Sequence, residues 1–345
     1  MHIFITGGAG FIGINLARHH LLKGDKVKIF DNFSRKGAQA NAGRLVEQFG
    51  RDNLIVVPGD VAHDFELLKN ELEGADLIFH TAGQVAVTRS FINPRLDFEA
   101  NALGTFNTLE AMRLTAPGAT LIYSSTNKVY GGLEDVKVVE EDRRYRFNDF
   151  ANGISETKQL DFHSPYGVSK GAGDQYVRDY ARMYGLNTVV FRKSCIYGPY
   201  QMGVEDQGWV AWFALAAHFG KPITIYGNGK QVRDVLHIAD LINAYEAAYL
   251  HIHQTRGQIF NIGGGPVNTL SLLELIELLE QDYGRKIDYK FADWRRGDQP
   301  VYVSDIAKAK TALNWQPNIS PAQGVRQLIH WIRDNEALYK QVGLV

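Results

Sequence analysis

Tyr166 and Lys170 stand four residues apart in the run Tyr166-Gly167-Val168-Ser169-Lys170. On a helix, positions i and i+4 share one face, so a phenol and an ammonium would sit together. A phenol with a pKa of about 10 is a poor base at neutral pH. A nearby positive charge favours the phenolate, which can then take a proton from a hydroxyl. Taken alone the pair is a weak signal, because aromatic residues at helical spacing usually pack. Tyr176, Tyr180 and Tyr184, further along the same stretch, are read as packing or surface residues. A second group of hydroxyls lies in Ser124-Ser125-Thr126-Asn127-Lys128, placed directly after a short apolar run. A hydroxyl there could hydrogen-bond a reacting oxygen and stabilise developing charge. The plainer reading is a Ser/Thr turn that closes a strand.

The partner for that chemistry is signalled at the start of the chain. Thr6-Gly7-Gly8-Ala9-Gly10-Phe11-Ile12-Gly13 follows a strand-like run and opens a helix-like one. In that context glycines let the backbone turn tightly against a pyrophosphate, and the helix N-terminus supplies free N–H groups. Asp31 ends the next apolar run, 18 positions after Gly13. A carboxylate there accepts hydrogen bonds from ribose hydroxyls and repels a 2′-phosphate, which favours NAD. Arg35 and Lys36 follow closely and keep NADP open. With a bound nicotinamide, Tyr166 would remove a proton from a carbinol as hydride leaves it.

The elements that must position these residues read as an alternation of short strands and helices. Strands are predicted at 2–6, 27–31, 54–57, 77–80, 120–123 and 188–191, with a helix at 11–23 and a long one from Ser164-Pro165. Short apolar strands alternating with helices imply right-handed crossovers and an α/β, Rossmann-type, doubly wound parallel sheet. Ligands in such sheets bind beyond the carboxyl ends of the strands. Serine suits the N-cap and proline the first position of the long helix. Residues 131–165 are polar and read as an excursion over the sheet's ligand edge. Beyond about residue 190 the pattern mixes helices and strands. It is divided into an NAD-binding domain, 1–190, and a smaller mixed α/β lobe for the substrate, 191–345, with a boundary the chain can cross.

Composition narrows the partners. The 345 residues carry a formal net charge of −1, which argues against a broad surface for nucleic acid or anionic lipid. No long uncharged apolar run predicts a membrane span. The apolar N-terminus is read as a first strand and not as a signal peptide. The single cysteine, Cys195, excludes an intrachain disulfide framework and fits a reducing, cytoplasmic setting. No metal site is expected.

Together, the glycine-rich start, Ser-Ser-Thr, Tyr-x-x-x-Lys and Gly227-Asn228-Gly229-Lys230-Gln231-Val232-Arg233-Asp234 make the whole chain resemble the extended short-chain dehydrogenase/reductases. Within that family, four longer runs are similar to the nucleotide-sugar epimerases of the CDP-tyvelose (CDP-paratose 2-) group. They are residues 31–37, 125–131, 159–167 and 206–210. The resemblance implies tightly bound NAD and a nucleotide-sugar substrate, CDP-linked by preference, in a homodimer or homotetramer. It implies Tyr166 as base, Lys170 as its activator and ribose contact, and Thr126 as the hydroxyl partner. Gly7, Gly10, Phe11, Ile12 and Gly13 would meet the pyrophosphate, and Asp31, Asn32, Ser34 and Arg35 the adenosine ribose. Asp60 and Val61 would edge the adenine, while Ala82, Gly83, Gln84, Asn101 and Ser124 complete the cofactor's surroundings. Gln201, Gln207, Arg233 and Arg295 would hold the substrate, the arginines on its diphosphate, because a guanidinium fork matches phosphate oxygens. His163 and Cys195 are read as bystanders.

The resemblance also ranks reactions. Sugar dehydratases of the family carry an Asp-Glu pair where this chain has Asn127 and Lys128. An amide and an ammonium cannot replace those carboxyl groups, so dehydration ranks low, as does decarboxylation. Reversible oxidation remains, with a ketone that presents its other face before hydride returns. C2 epimerisation of a CDP-hexose leads. A UDP-sugar 4-epimerase comes next, then a net dehydrogenase, and last an NAD-binding sensor without catalysis. Intact Tyr166 and Lys170 argue against the sensor.

Overall fold

The structure, a computed structural model, describes residues 1–344. Seven strands form one parallel sheet: β1 (His2–Thr6), β2 (Lys26–Asp31), β3 (Leu54–Pro58), β4 (Leu77–His80), β5 (Thr120–Thr126), β6 (Asn187–Lys193) and β7 (Ile259–Ile262). Their order across the sheet is β3-β2-β1-β4-β5-β6-β7, the doubly wound arrangement with its reversal point at β1 and β4. The central strands are almost wholly buried. Ile5, Ile29, Phe79, Ile122 and Phe191 face one apolar layer, and Phe4, Phe30, Ile78, Leu121 and Tyr123 the other. Burial on both faces is what such continuous apolar runs require.

Three helices matter most to the site: α1 (Phe11–Leu22), α2 (Gly104–Thr115) and α3 (Pro165–Tyr184). The Ser164 hydroxyl accepts the Gly167 N–H at 3.0 Å, Pro165 takes the first turn, and Gly185 ends α3 in the left-handed conformation. The predicted start of the long helix is therefore the observed one. Ahead of α2, residues Phe98–Leu103 form a π-helical turn.

β5 differs from its sequence reading. It runs three residues past Tyr123, so Ser124, Ser125 and Thr126 are strand residues and not a closing turn. The reason lies in its neighbour. β6 continues alongside and pairs Ser124 with Phe191, Ser125 with Arg192 and Thr126 with Lys193. The turn itself is the short 3₁₀ helix Asn127–Tyr130.

The remaining residues build a mixed sheet in which Val232–His237 pairs with Cys195–Tyr197, Thr269–Ser271 and Val301–Tyr302. The helices Trp209–His218, Leu272–Tyr283 and Pro321–Asp334 close a second apolar core. The chain returns to the large sheet after this lobe begins, since β7 lies beyond residue 190 and pairs with β6. The polar stretch after Gly131 forms a small hairpin, Val138–Glu140 with Tyr145–Phe147. It buries Leu133, Val136, Phe147 and Ile154 against Val232, Val301 and Tyr302 of the lobe.

Candidate active site

Two cavities meet at the carboxyl edge of the large sheet. The first, about 280 Å³, runs over the β1–α1 turn and the ends of β2 and β3. Gly10 leads into α1 with no side-chain cap, so the first-turn N–H groups are free to face an anion. The turn admits no larger residue. Gly7 has a φ of +65°, and a Cβ on it would stand 2.7 Å from the Ala82 backbone. A Cβ on Gly13 would stand 2.3 Å from the Gly7 carbonyl oxygen. Asp31 brackets this turn: its carboxylate accepts the Ala9 N–H at 3.0 Å and the Phe33 N–H at 2.8 Å. Burial pushes its carboxyl up, while those backbone N–H groups hold it down.

The same wall carries most of the residues expected around a dinucleotide. Gly7, Gly10, Phe11, Ile12, Gly13, Asp31, Asn32, Ser34, Arg35, Asp60, Val61, Ala82, Gly83 and Gln84 all line the first cavity. Asn32 donates to the Asp60 carboxylate at 2.7 Å, which ties β2 to the loop after β3. Asn101 lines neither cavity. It sits behind the wall and donates to the Asp97 carboxylate and the Ser169 hydroxyl at 3.1 and 3.0 Å. Ser124 lines the second cavity, and its hydroxyl is bonded to the Tyr245 phenol at 2.6 Å.

The second cavity, about 380 Å³, lies between the sheet edge and the lobe. Thr126, Tyr166 and Lys170 form its inner end. Burial raises the Tyr166 phenol to about 12, and the Thr126 hydroxyl beside it acts in the opposite sense. Burial lowers the Lys170 amine to about 7 against the pull of Asp174 and Asp97. Both groups are thus held toward their neutral forms. A further positive charge between them would favour phenolate and leave Lys170 to donate hydrogen bonds.

Arg233 and Arg295, from separate segments, line the same cavity. Arg233 is bonded to Asp298 at 2.5 Å. Arg295 lies 3.9 Å above the Tyr226 ring, donates to the Glu205 carbonyl at 3.0 Å and forms an ion pair with the Asp206 carboxylate at 3.2 Å. Gln201 and Gln207 line both cavities. Gln207 accepts from Arg35 at 2.6 Å, and the buried Gln201 Oε1 has no partner among the described residues. Asn127 and Lys128 lie in the wall beside Thr126, with the Lys128 amine 3.2 Å from Gln299. Burial and the Arg233 charge lower that amine to about 8, against the opposing pull of Asp298.

His163 lies outside both cavities, half exposed between Glu134 and Asp161. Cys195 lines the second cavity and receives the Trp209 indole N–H at 3.4 Å. Two features escaped the sequence reading. Lys193 lines the second cavity at the end of β6. Beneath the site, Arg192 makes a two-pronged ion pair to Asp174 at 2.8 and 2.9 Å, and Asp174 also accepts from Ser125. The signal was the adjacent Arg192 and Lys193 at the end of the apolar run Val189–Phe191, because charged residues are rare in a covered parallel strand.

Known proteins are similar to this chain in sequence and fold. A family profile described as GDP-mannose 4,6 dehydratase matches residues 4–328. A CDP-paratose 2-epimerase from Salmonella typhi is 50% identical over 339 residues, 96% of this chain and 99% of the relative. The dTDP-glucose 4,6-dehydratase of Streptomyces venezuelae, crystallised with NAD, is 28% identical with a TM-score of 0.84, covering 99% of this chain and 100% of its own. A UDP-glucuronic acid 4-epimerase from Bacillus cereus, in complex with UDP-glucuronic acid and NAD, is 27% identical with a TM-score of 0.82, covering 97% and 99%. The chain belongs to the GDP-mannose 4,6 dehydratase family of extended short-chain dehydrogenase/reductases.

Proposed function

We propose that this protein is an NAD-dependent isomerase that inverts C2 of a CDP-linked hexose, interconverting CDP-paratose and CDP-tyvelose. The observation that carries the reading is the 50% identity to a CDP-paratose 2-epimerase across nearly the whole of both chains. The UDP-sugar 4-epimerase alternative draws on relatives near 29% identity. The first cavity suits NAD. Its uncapped helix N-terminus fits the pyrophosphate, and the Asp31 carboxylate in its wall fits ribose hydroxyls.

Bound NAD supplies the hydride acceptor and then the donor, so the reacting carbon passes through a ketone. Tyr166 takes the carbinol proton and returns it from the same oxygen position. Thr126 donates to that oxygen and holds it as its charge changes. Lys170 supports the phenolate. Arg233 and Arg295 hold the diphosphate while the sugar turns its other face, which requires that Asp298 and Asp206 release them. Asn127 and Lys128 offer no carboxyl group for eliminating water, so the ketone survives to be reduced.

The test is NMR of the holoenzyme with CDP-paratose in heavy water. Expected is CDP-tyvelose without deuterium at C2. An inert mixture, or inversion at C4 of a UDP-sugar instead, overturns the reading. We also place a homodimer on the outer face of α2 and α3, where Phe106 packs edge-on to Tyr176 and Leu114, Met183 and Tyr184 are exposed. A Met183→Asp, Tyr184→Asp double variant should sediment as a monomer. The lone thiol at Cys195 fits a cytoplasmic setting.

A further inference from the structure

Lys193 is a buried amine with no assigned work. It is 8% exposed, lines the substrate cavity, and has no hydrogen-bond or ion-pair partner among the described residues. Its backbone pairs in register with Thr126 on one side and Ile262 on the other. Registered neighbours in a parallel sheet point to the same face, about 4.8 Å apart. Lys193 therefore projects beside the hydroxyl that meets the reacting oxygen. Burial, and then the like charge of Lys170, hold its amine well below the usual lysine range. A lysine in a covered strand without a partner is costly, and methionine would fill the same space without that cost. Such a group is retained for a ligand that brings the missing negative charge.

The position of that charge discriminates between sugars. In a nucleotide sugar the diphosphate hangs from C1. When C2 is the reacting carbon, the sugar-linked phosphate lies one ring atom from the carbinol. When C4 reacts, the phosphate lies across the ring. A cation beside Thr126 is within reach of the phosphate only in the first case. Arg233 and Arg295 line the same cavity from the lobe and are available to a diphosphate in either case.

We propose that Lys193 is a specificity-determining residue that binds the sugar-linked phosphate next to Tyr166 and so presents C2, not C4, to the base. This rests on the C2 reading above, but the phosphate contact can be measured without a sugar. CDP carries the phosphate in question and CMP lacks it. Calorimetry on the NAD-loaded enzyme should show CDP binding more tightly than CMP. In Lys193→Met that preference should shrink by about 10-fold or more, the scale of one charge-assisted contact. Lys193→Arg, which keeps the charge, should retain most of it and guards against a folding artefact. NAD content should stay unchanged in both variants.

A full CDP-over-CMP preference in Lys193→Met overturns the proposal. Loss of NAD from that variant also overturns it, because Lys193 would then serve the cofactor. If the preference collapses while the wild type ignores CDP-paratose, the phosphate contact stands and the C2 assignment falls. If both hold, Lys193→Met should raise KM for CDP-paratose and lower kcat, since a loosely tethered sugar no longer aims C2 at Tyr166.

Discussion

Tyr166 is where the site's chemistry concentrates, and its surroundings set its difficulty. Burial holds the phenol near 12 while Lys170 beside it falls to about 7. Replacing the phenol by phenyl in Tyr166→Phe removes the base and leaves the first cavity untouched. Turnover should fall by roughly 10²–10⁴ with NAD still bound, measured by steady-state kinetics beside nucleotide release on denaturation. Near-normal turnover would take the base role from Tyr166. Asp31 governs cofactor choice by the same kind of local argument. Asp31→Ala should weaken NAD and relieve repulsion of NADP, and it should also loosen the glycine turn, because the carboxylate holds the Ala9 N–H. Chromatography of the nucleotide released from wild type should find NAD. Mainly NADP would sink the assignment.

Elements place these residues through buried polar ties that also limit stability. Helix α3 carries Tyr166 and Lys170 and is pinned to β5 and β6 by Asp174, which bonds Ser125 and Arg192 in a site 0–3% exposed. Removing one partner strands a buried charge. Asp174→Ala should cost about 3–5 kcal/mol in urea unfolding and reduce turnover by misplacing Tyr166. A loss below about 1 kcal/mol would mean that the helix is held by packing alone. At the end of β4, His80 sits between the Thr6 and Thr105 hydroxyls at 2.7 and 3.0 Å. Burial and then the charge of Lys170 lower it to about 3 from 6.5. The unfolded chain therefore takes up this proton first. The stabilising contribution is complete above pH 6.5 and is lost as pH falls toward 3, at up to about 1.4 kcal/mol per pH unit. His80→Gln should flatten the stability slope between pH 6.5 and 4.5. Parallel slopes in the two proteins would show that His80 does not titrate this way.

At the scale of the molecule, the substrate cavity belongs to both halves. The sheet edge supplies Thr126, Tyr166 and Lys170, and the lobe supplies Arg233 and Arg295. Each arginine is paired with a carboxylate, so a diphosphate must exchange with Asp298 and Asp206. Arg233→Ala and Arg295→Ala should each raise KM about 10- to 150-fold, with NAD content unchanged. The partly exposed Arg295 should show the smaller loss, because solvent screens its charge. Unchanged KM in both would remove the phosphate clamp.

Local rules made much of this legible. The strands at 2–6 and 77–80 and the Ser164-Pro165 helix start follow from apolar runs and capping chemistry, which act over a few residues. The glycine turn, Asp31 and the Tyr166–Lys170 pair could be named because each depends on spacing within one or two elements. What depended on which strands lie side by side could not be read this way. β5 extends to Thr126 only because β6 pairs with it that far, and β7 joins the same sheet from a distant stretch of chain. Asn101, implied as a cofactor contact, lines neither cavity and is tied to Asp97 and Ser169 from the π-helical turn before α2. Lys193 carries no motif at all. Its place beside Thr126 follows from strand register. Sequence by itself determined the periodicities, turns and reactive pairs, because those are short-range physics. Tertiary structure decided the shared cavity, its charge and the carboxylates that occupy the arginines, because burial and electrostatics depend on everything packed within a few ångströms.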